Sequence, residues 1–373
     1  MNNKKKILFL IQLPPPVHGV STMNKIISDS KLINGSFDTR VFPLMFASDI
    51  SDIGVVSVGK IVKMLICALK LVRTLLADRP DIAYFTLAPA GYAFYRDIIY
   101  VFILKIFKLK IIYHLHGKGI KNIISKHKLN KVICKFIFKN VNVICLSDQI
   151  TYDIQDVYGK KPFIVNNGIV RIIDSNYFEE EKNNRDIKIK ILFLSNYEKT
   201  KGILDLVDAL RILDKKNIDF ETVLVGKPTK SISIDYLKEY ITNNGLIKKI
   251  KISGPQYNDN KNEILKNASI FVFPTYNEAF PLVILEAMQF GLPVVSTFEG
   301  AIPEIVDDCK TGFLVRQRDV TLLAEKIEIL IKDKDMRIKM GRAGRIKFLE
   351  KYTLETFERN MKKIFDEVLN DDI

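Results

Sequence analysis

Two glutamates stand eight residues apart in "PTYNEAFPLVILEAMQFGLPVVST", Pro274 to Thr297, and no cation lies within that stretch. An ionised carboxylate is seldom buried alone, because an unpaired buried charge is costly. Glu278 and Glu286 therefore belong either to a surface helix or to a site where something outside the chain donates hydrogen bonds. The surroundings favour a site. "IFVF" reads as a strand, Pro281 suits the first turn of a helix, Gly291 ends it, Pro293 prevents its resumption, and "VVST" is the next strand. Val283, Ile284, Leu285, Ala287 and Met288 surround Glu286, so that helix is apolar nearly all round. The acids fall at the tip of a parallel strand, beside a helix N-terminus able to hold phosphate. A ligand with hydroxyls and phosphate, such as a nucleotide sugar, would supply the missing donors.

The elements that must position these acids recur along the chain. "KILFLIQL", "DIAYFTL", "KIIYHLHG" and "VNVICLS" are continuous apolar runs, each followed by a helical pattern, and "IKILFLS", "FETVLVG", "KIKISG" and "IFVFPT" repeat the style. Continuous rather than alternating apolar strands indicate parallel sheets covered on both faces. The polar stretch "DSNYFEEEKNNRD", Asp174 to Asp186, reads as a linker between two α/β halves, and 373 residues suffice for two ordinary domains.

Charge is one-sided. Residues 1–150 carry 22 Lys/Arg, 8 Asp and no Glu, whereas residues 151–373 carry 35 of each sign. Lys105 to Lys139 hold ten lysines and no acid, which points to an anionic partner. Val55 to Leu76 reads as an amphipathic helix with Lys60, Lys63, Lys70 and Arg73 in one arc. Its simplest expectation is a helix packed on its own sheet with a solvated basic stripe, and membrane-surface contact is the alternative. Tyr95 to Lys110 is a second helix candidate, with lysines at its C-terminal end. The four cysteines, Cys67, Cys134, Cys145 and Cys309, follow no metal or disulfide spacing and read as reduced thiols. The basic, apolar start is read as a first strand rather than a leader. No run reaches the ~18 uncharged apolar residues of a spanning helix.

With these residues in hand, the chain resembles the retaining glycosyltransferases of family 4. Glu-x7-Glu in its setting is similar to their donor-site motif. "PPPVHGVSTMN" (Pro14–Asn24), "HLHG" (His114–Gly117), "NNG" (Asn166–Gly168), "KGILDLVDAL" (Lys201–Leu210), "GP" (Gly254–Pro255) and "EGAIPEIV" (Glu299–Val306) follow in the family's order. The resemblance implies α/β GT-B architecture, two Rossmann-like domains with parallel sheets facing across a cleft. Residues 1–173 would form the acceptor-binding domain, 174–188 the linker and 189–352 the nucleotide-sugar domain. A C-terminal helix, 353–373, would pack back on the first.

Roles carry over residue by residue. The resemblance implies that Glu286 accepts from the ribose hydroxyls, and that Glu278 holds the donor sugar and stabilises charge at the anomeric centre. Lys201 would bind the diphosphate, with Asn196, Gly19, Phe280, Pro281 and Leu282 around the donor. His116 would contact the donor sugar from the other domain as a catalytic group. His18 and Lys118 would lie on the acceptor side. Where the family commonly has an arginine, five residues before the lysine, this chain has Asn196, and Val20 stands where a second glycine often follows Gly19. His114 is expected on the opposite face of its strand from His116, with a structural role, and His127 in an exposed, lysine-rich helix. "DKD", Asp333–Asp335, reads as a charged surface helix rather than a metal site.

The implied reaction is transfer with retention from a UDP- or GDP-type sugar without a metal or other cofactor. The departing phosphate oxygen would take the acceptor's proton. The implied acceptor is a lipid-diphosphate-linked glycan at the inner face of a bacterial cell membrane, whose anionic surface would suit the basic domain. Capsule, O-antigen and exopolysaccharide assembly fit equally, and nucleic acid is not an expected partner. The alternatives are a non-catalytic, basic lipid- or polyanion-binding protein on the same scaffold, and a nucleotide-sugar epimerase. A dinucleotide dehydrogenase is set aside, because no GxGxxG follows the first strand.

Overall fold

The computed structural model describes residues 4–46, 58–173 and 188–371. The stretch read as a linker, Asp174 to Asp186, lies outside the described residues. The chain divides into two compact units, Met1–Asn167 with Glu355–Ile373, and Gly168–Leu354.

In the first unit six parallel strands take the order β2-β1-β3-β4-β5-β6. They are β1 (Lys6–Ile11), β2 (Asp38–Pro43), β3 (Ile82–Phe85), β4 (Lys110–Leu115), β5 (Asn142–Cys145) and β6 (Phe163–Ile164). The central strands are buried along nearly their whole length, which is why they read as continuous apolar runs. The helix Leu354–Asn370 closes the core with a sharply one-sided face of Phe357, Met361, Ile364, Phe365 and Val368. The Phe365 ring meets Phe9, Phe37 and Tyr84 edge-on at 5.8–6.0 Å.

The second unit repeats the plan in the order β12-β11-β10-β7-β8-β9, again all parallel. Its strands are β7 (Lys190–Leu194), β8 (Glu221–Val225), β9 (Ile250–Gly254), β10 (Ile270–Phe273), β11 (Val294–Thr297) and β12 (Gly312–Val315). Successive strands run outward from β7 to β9, then return to the other side of β7 and run outward to β12. The reversal between β7 and β10 is the switch point at whose carboxyl end such sheets bind ligands. The first unit has its reversal between β1 and β3.

Two helix expectations need correction. The helix ahead of β3 runs Val58–Ala77, its apolar residues only partly serving the core. Leu71 and Leu75 alone are buried, whereas Ile61, Val62, Leu65, Ile66, Leu69 and Leu76 are exposed beside Lys63, Lys70 and Arg73. At 100° per residue, the buried residues share one narrow arc and the apolar surplus faces away from it. The stripe is therefore apolar as well as basic. The helix before β4 spans Gly91–Ile106 and stops short of Lys110, which begins the strand. Lys108 takes a positive φ there and turns the chain. "DKD" opens a helix as read: Asp333 caps the helix Lys334–Lys351, its Oδ1 accepting from Met336 N at 2.8 Å, and Asp335 lies in the first turn.

Candidate functional site

Both glutamates have lysine partners. Lys201 Nζ reaches Glu278 Oε1 at 2.6 Å, and Lys261 Nζ reaches Glu286 Oε1 at 2.7 Å. The expectation that the chain supplies no cation for these acids is overturned. The lysines come from other elements, 77 and 25 residues away in sequence, so the apolar segment alone could not reveal them.

The loops leaving β7 and β10 are bonded to each other at the switch point. Thr200 O accepts from Tyr276 N at 2.9 Å and from Thr275 Oγ1 at 3.0 Å. Lys201 Nζ also donates to Asn277 O at 3.2 Å. Gly202 follows at φ +73°, and a Cβ there would lie 2.0 Å from Pro274 O, so only glycine lets the two loops approach so closely. The loop after β11 braces Glu278 from behind. Glu278 N donates to Glu299 Oε1 at 3.2 Å, Gln317 Nε2 holds Glu299 Oε2 at 2.8 Å, and Ala301 N donates to Ala279 O at 2.8 Å. Gly300, at φ +54°, passes under the Glu278 carbonyl where a Cβ would sit 2.4 Å from that oxygen. These contacts hold the carboxylate by its backbone and leave its side chain facing Lys201.

The helix Leu282–Gln289 is buried except along Leu282, Val283 and Glu286. Pro281 is its N-cap rather than part of its first turn. Phe280 turns inward against the Tyr352 ring at 5.9 Å, leaving its main chain to the site. Asn196 is half-buried after β7, and its side chain has no hydrogen-bond partner among the described residues. Beside the loops, Arg318 covers the Tyr276 ring at 5.1 Å. Burial pushes the Asp205 carboxyl upward, with Asp208 adding to the effect and Arg318 opposing it; Asp205 Oδ2 is buried without a hydrogen bond.

The first unit gathers its own polar groups at the carboxyl ends of β1, β3 and β4. His18 caps the helix Gly19–Asp29, its Nδ1 accepting from Ser21 N at 3.3 Å, so the neutral ring carries its hydrogen on Nε2. Gly19 has open space where a Cβ would stand. Asn24 ties the β1 loop to the β3 loop through Gln12 O at 2.9 Å and Thr86 Oγ1 at 3.2 Å. His116 does not oppose His114: the two rings lie 4.0 Å apart. Residues two apart on a strand share a face, which the sequence expectation reversed. His114 is wholly buried, with the Tyr84 hydroxyl 2.6 Å from its Nδ1. Burial and the nearby His18 bring His116 down to about 3, so its imidazole is neutral, and both of its nitrogens are buried without partners. Lys118 is half-exposed in the following loop. That loop is pinned by Asp153, which accepts from the backbone N–H of Gly119, Ile120 and Lys121 at 2.9–3.1 Å. His127 is exposed, ahead of the helix Lys128–Phe138.

Sequence reasoning missed Lys261, Asp153, Tyr84 and the Asp205–Arg318 neighbourhood, all of which act across distant segments. Glu299 was legible within "EGAIPEIV", though its brace on Glu278 was not. No group of three or more His, Cys, Asp or Glu that could hold a metal ion occurs among the described residues.

This doubly repeated parallel fold is shared with solved structures. The Anabaena Alr3699/HepE structure in complex with UDP superposes with a TM-score of 0.72 at 20% identity, covering 97% of this chain and 100% of that one. The fold is thus that of the two-domain GT-B enzymes. Residues 175–347 match the family described as "Glycosyl transferases group 1", and the chain is a glycosyltransferase. It is 27% identical to an N-acetyl-alpha-D-glucosaminyl L-malate synthase of Bacillus anthracis over 71% of this chain and 70% of that protein. It is 30% identical to the capsular polysaccharide biosynthesis glycosyltransferase CapM of Staphylococcus aureus over 53% and 52% respectively.

Proposed function

We propose that this glycosyltransferase moves a sugar, with retention, from a UDP- or GDP-type sugar to a lipid-diphosphate-linked glycan in bacterial surface polysaccharide assembly. The observation that carries the reading is the Lys201–Glu278 contact at the β7/β10 switch point. One ammonium and one carboxylate meet where a diphosphate and the sugar attached to it would lie, with Glu286 one turn into the following helix for the ribose. In the free protein Glu278 neutralises Lys201. A bound diphosphate takes over the ammonium and releases the carboxylate to the sugar, where it offsets positive charge growing at the anomeric carbon. His116, as a neutral ring with both nitrogens unpartnered, is assigned to a sugar hydroxyl, and His18 and Lys118 to the acceptor. The relative solved with UDP supports a uridine donor, and the capsular relative supports the polysaccharide pathway.

The acceptor's lipid would hold the enzyme at the inner membrane face through the basic first unit. The exposed apolar and basic face of Val58–Ala77 supports that reading, and no helix among the described residues is long and apolar enough to cross a membrane.

Thermal unfolding with UDP, GDP, ADP and CMP, each with and without EDTA, tests the donor assignment. At ~100 times its dissociation constant the right nucleotide adds about 2.7 kcal/mol of stability, so its midpoint rises, and rises equally with EDTA. No shift from any nucleotide would overturn the assignment.

A further inference from the structure

Lys261 belongs to the helix Asn258–Lys266, which follows the Gly254–Pro255 turn after β9. That helix is polar, and Leu265 is its one buried residue. Its residues Asn260, Glu263 and Ile264, with Asn267 just beyond its end, line a cavity of about 460 Å³ over β7, β8 and β9. Lys261 is thus among the few side chains that tie the helix to a neighbour, and the neighbour it selects is Glu286. The pair is 2.7 Å apart, with side chains only 26% and 21% exposed. Nζ holds Oε1, and no hydrogen bond from the described residues reaches Oε2.

We propose that Lys261 is a positioning residue for donor recognition: it fixes one oxygen of Glu286 so that the other is presented to the ribose diol of the nucleotide. The proposal rests on the assignment of Glu286 to the ribose. A glutamate on a half-exposed helix face has three side-chain torsions to order before it can accept two hydroxyls. An ammonium already bonded to Oε1 meets part of that entropic cost before the ligand arrives. The contact is between side chains of two different helices, so it governs selectivity for the ribose without touching the reacting atoms.

The test uses the full chain and two probes, the nucleoside diphosphate that stabilises the wild type and its 2′,3′-dideoxy analogue. Binding of both is titrated to wild type, Lys261→Met, Lys261→Arg and Glu286→Gln. Losing a part-buried, charge-assisted contact should weaken binding of the ribose form by about three- to tenfold in Lys261→Met. The dideoxy form should bind Lys261→Met as it binds wild type, so discrimination between the two sugars narrows. Lys261→Arg should recover most of it, and kcat at saturating donor should not change. A simple staple between helices would lower the melting temperature and weaken both probes equally, and that outcome overturns the proposal, as does unchanged binding of both. If Glu286→Gln also binds the ribose form normally, the ribose assignment itself fails. If only Glu286→Gln is impaired, the assignment stands and the role of Lys261 falls. Should Lys261→Met not fold, Lys261→Arg against Glu286→Gln gives the same discrimination readout.

Discussion

At the scale of single residues, the two acids differ in what their removal should do. On the proposed assignment, Glu286→Ala would remove contacts made equally to bound donor and to the transition state, so KM for the donor should rise with kcat near wild type. On the same assignment, Glu278→Ala would remove a charge that matters most when the anomeric carbon becomes positive. Steady-state kinetics should show kcat reduced by about a hundredfold or more, the range typical of lost electrostatic stabilisation; full turnover in Glu278→Ala would end that role. Both acids stand out in the sequence by their spacing and apolar setting. Their lysines do not, because an ion pair between segments 25 or 77 residues apart leaves no local periodicity to read. The histidines illustrate a different failure. The sequence reading puts His114 and His116 on opposite faces, although a period of two puts them on one, and their tilted ring contact at 4.0 Å follows from that geometry. Asn196 remains a difference from the family pattern that nothing around it offsets.

At the scale of elements, eight of the strands were legible as continuous apolar runs bounded by polar turns, since burial on both faces leaves no alternation, and the edge strand β9 was legible as the alternating "KIKIS". β2, β6 and β12 were not. β2 is an edge strand, largely exposed in "DTRVFP", β6 has only two residues, and β12 opens on the glycine of "TGFLV". None carries a long apolar run, and each exists because a neighbouring strand offers it a ladder. The helix Val58–Ala77 was legible as amphipathic, but the direction of its apolar side was not, because periodicity does not say what a face meets. Its exposed Leu65 and Leu69 beside Lys63, Lys70 and Arg73 lead to a two-armed prediction. Vesicles with anionic lipid should bind the protein, and high salt should release most of it. Neutralising the three cations should weaken binding by about a hundredfold, at ~1 kcal/mol per charge near the surface. Leu65→Glu with Leu69→Glu should weaken what binding persists in salt. Sedimentation with vesicles that is indifferent to salt and to both sets of changes would remove the membrane from the account.

At the scale of the whole molecule, the chain crosses between its units twice, near residue 168 and near residue 355. The second crossing gives the first unit the helix Leu354–Asn370, whose Phe365 lies against residues from β1, β3 and the turn before β2. Phe365→Ala should cost about 3–5 kcal/mol, the range for a large aromatic core deletion. Hydrogen exchange should show the loss in the first unit's strands and spare β7 to β12; an equal loss in both would mean the units unfold as one. The same crossing sets an order of events on the ribosome. Residues 168–354 are complete, with both glutamates and both lysines present, before Phe365 is made. The first unit must wait with β1 and β3 exposed on one side until that helix emerges. The second unit, to which nucleotide binding is assigned above, can therefore mature first, and the half made earliest is finished last.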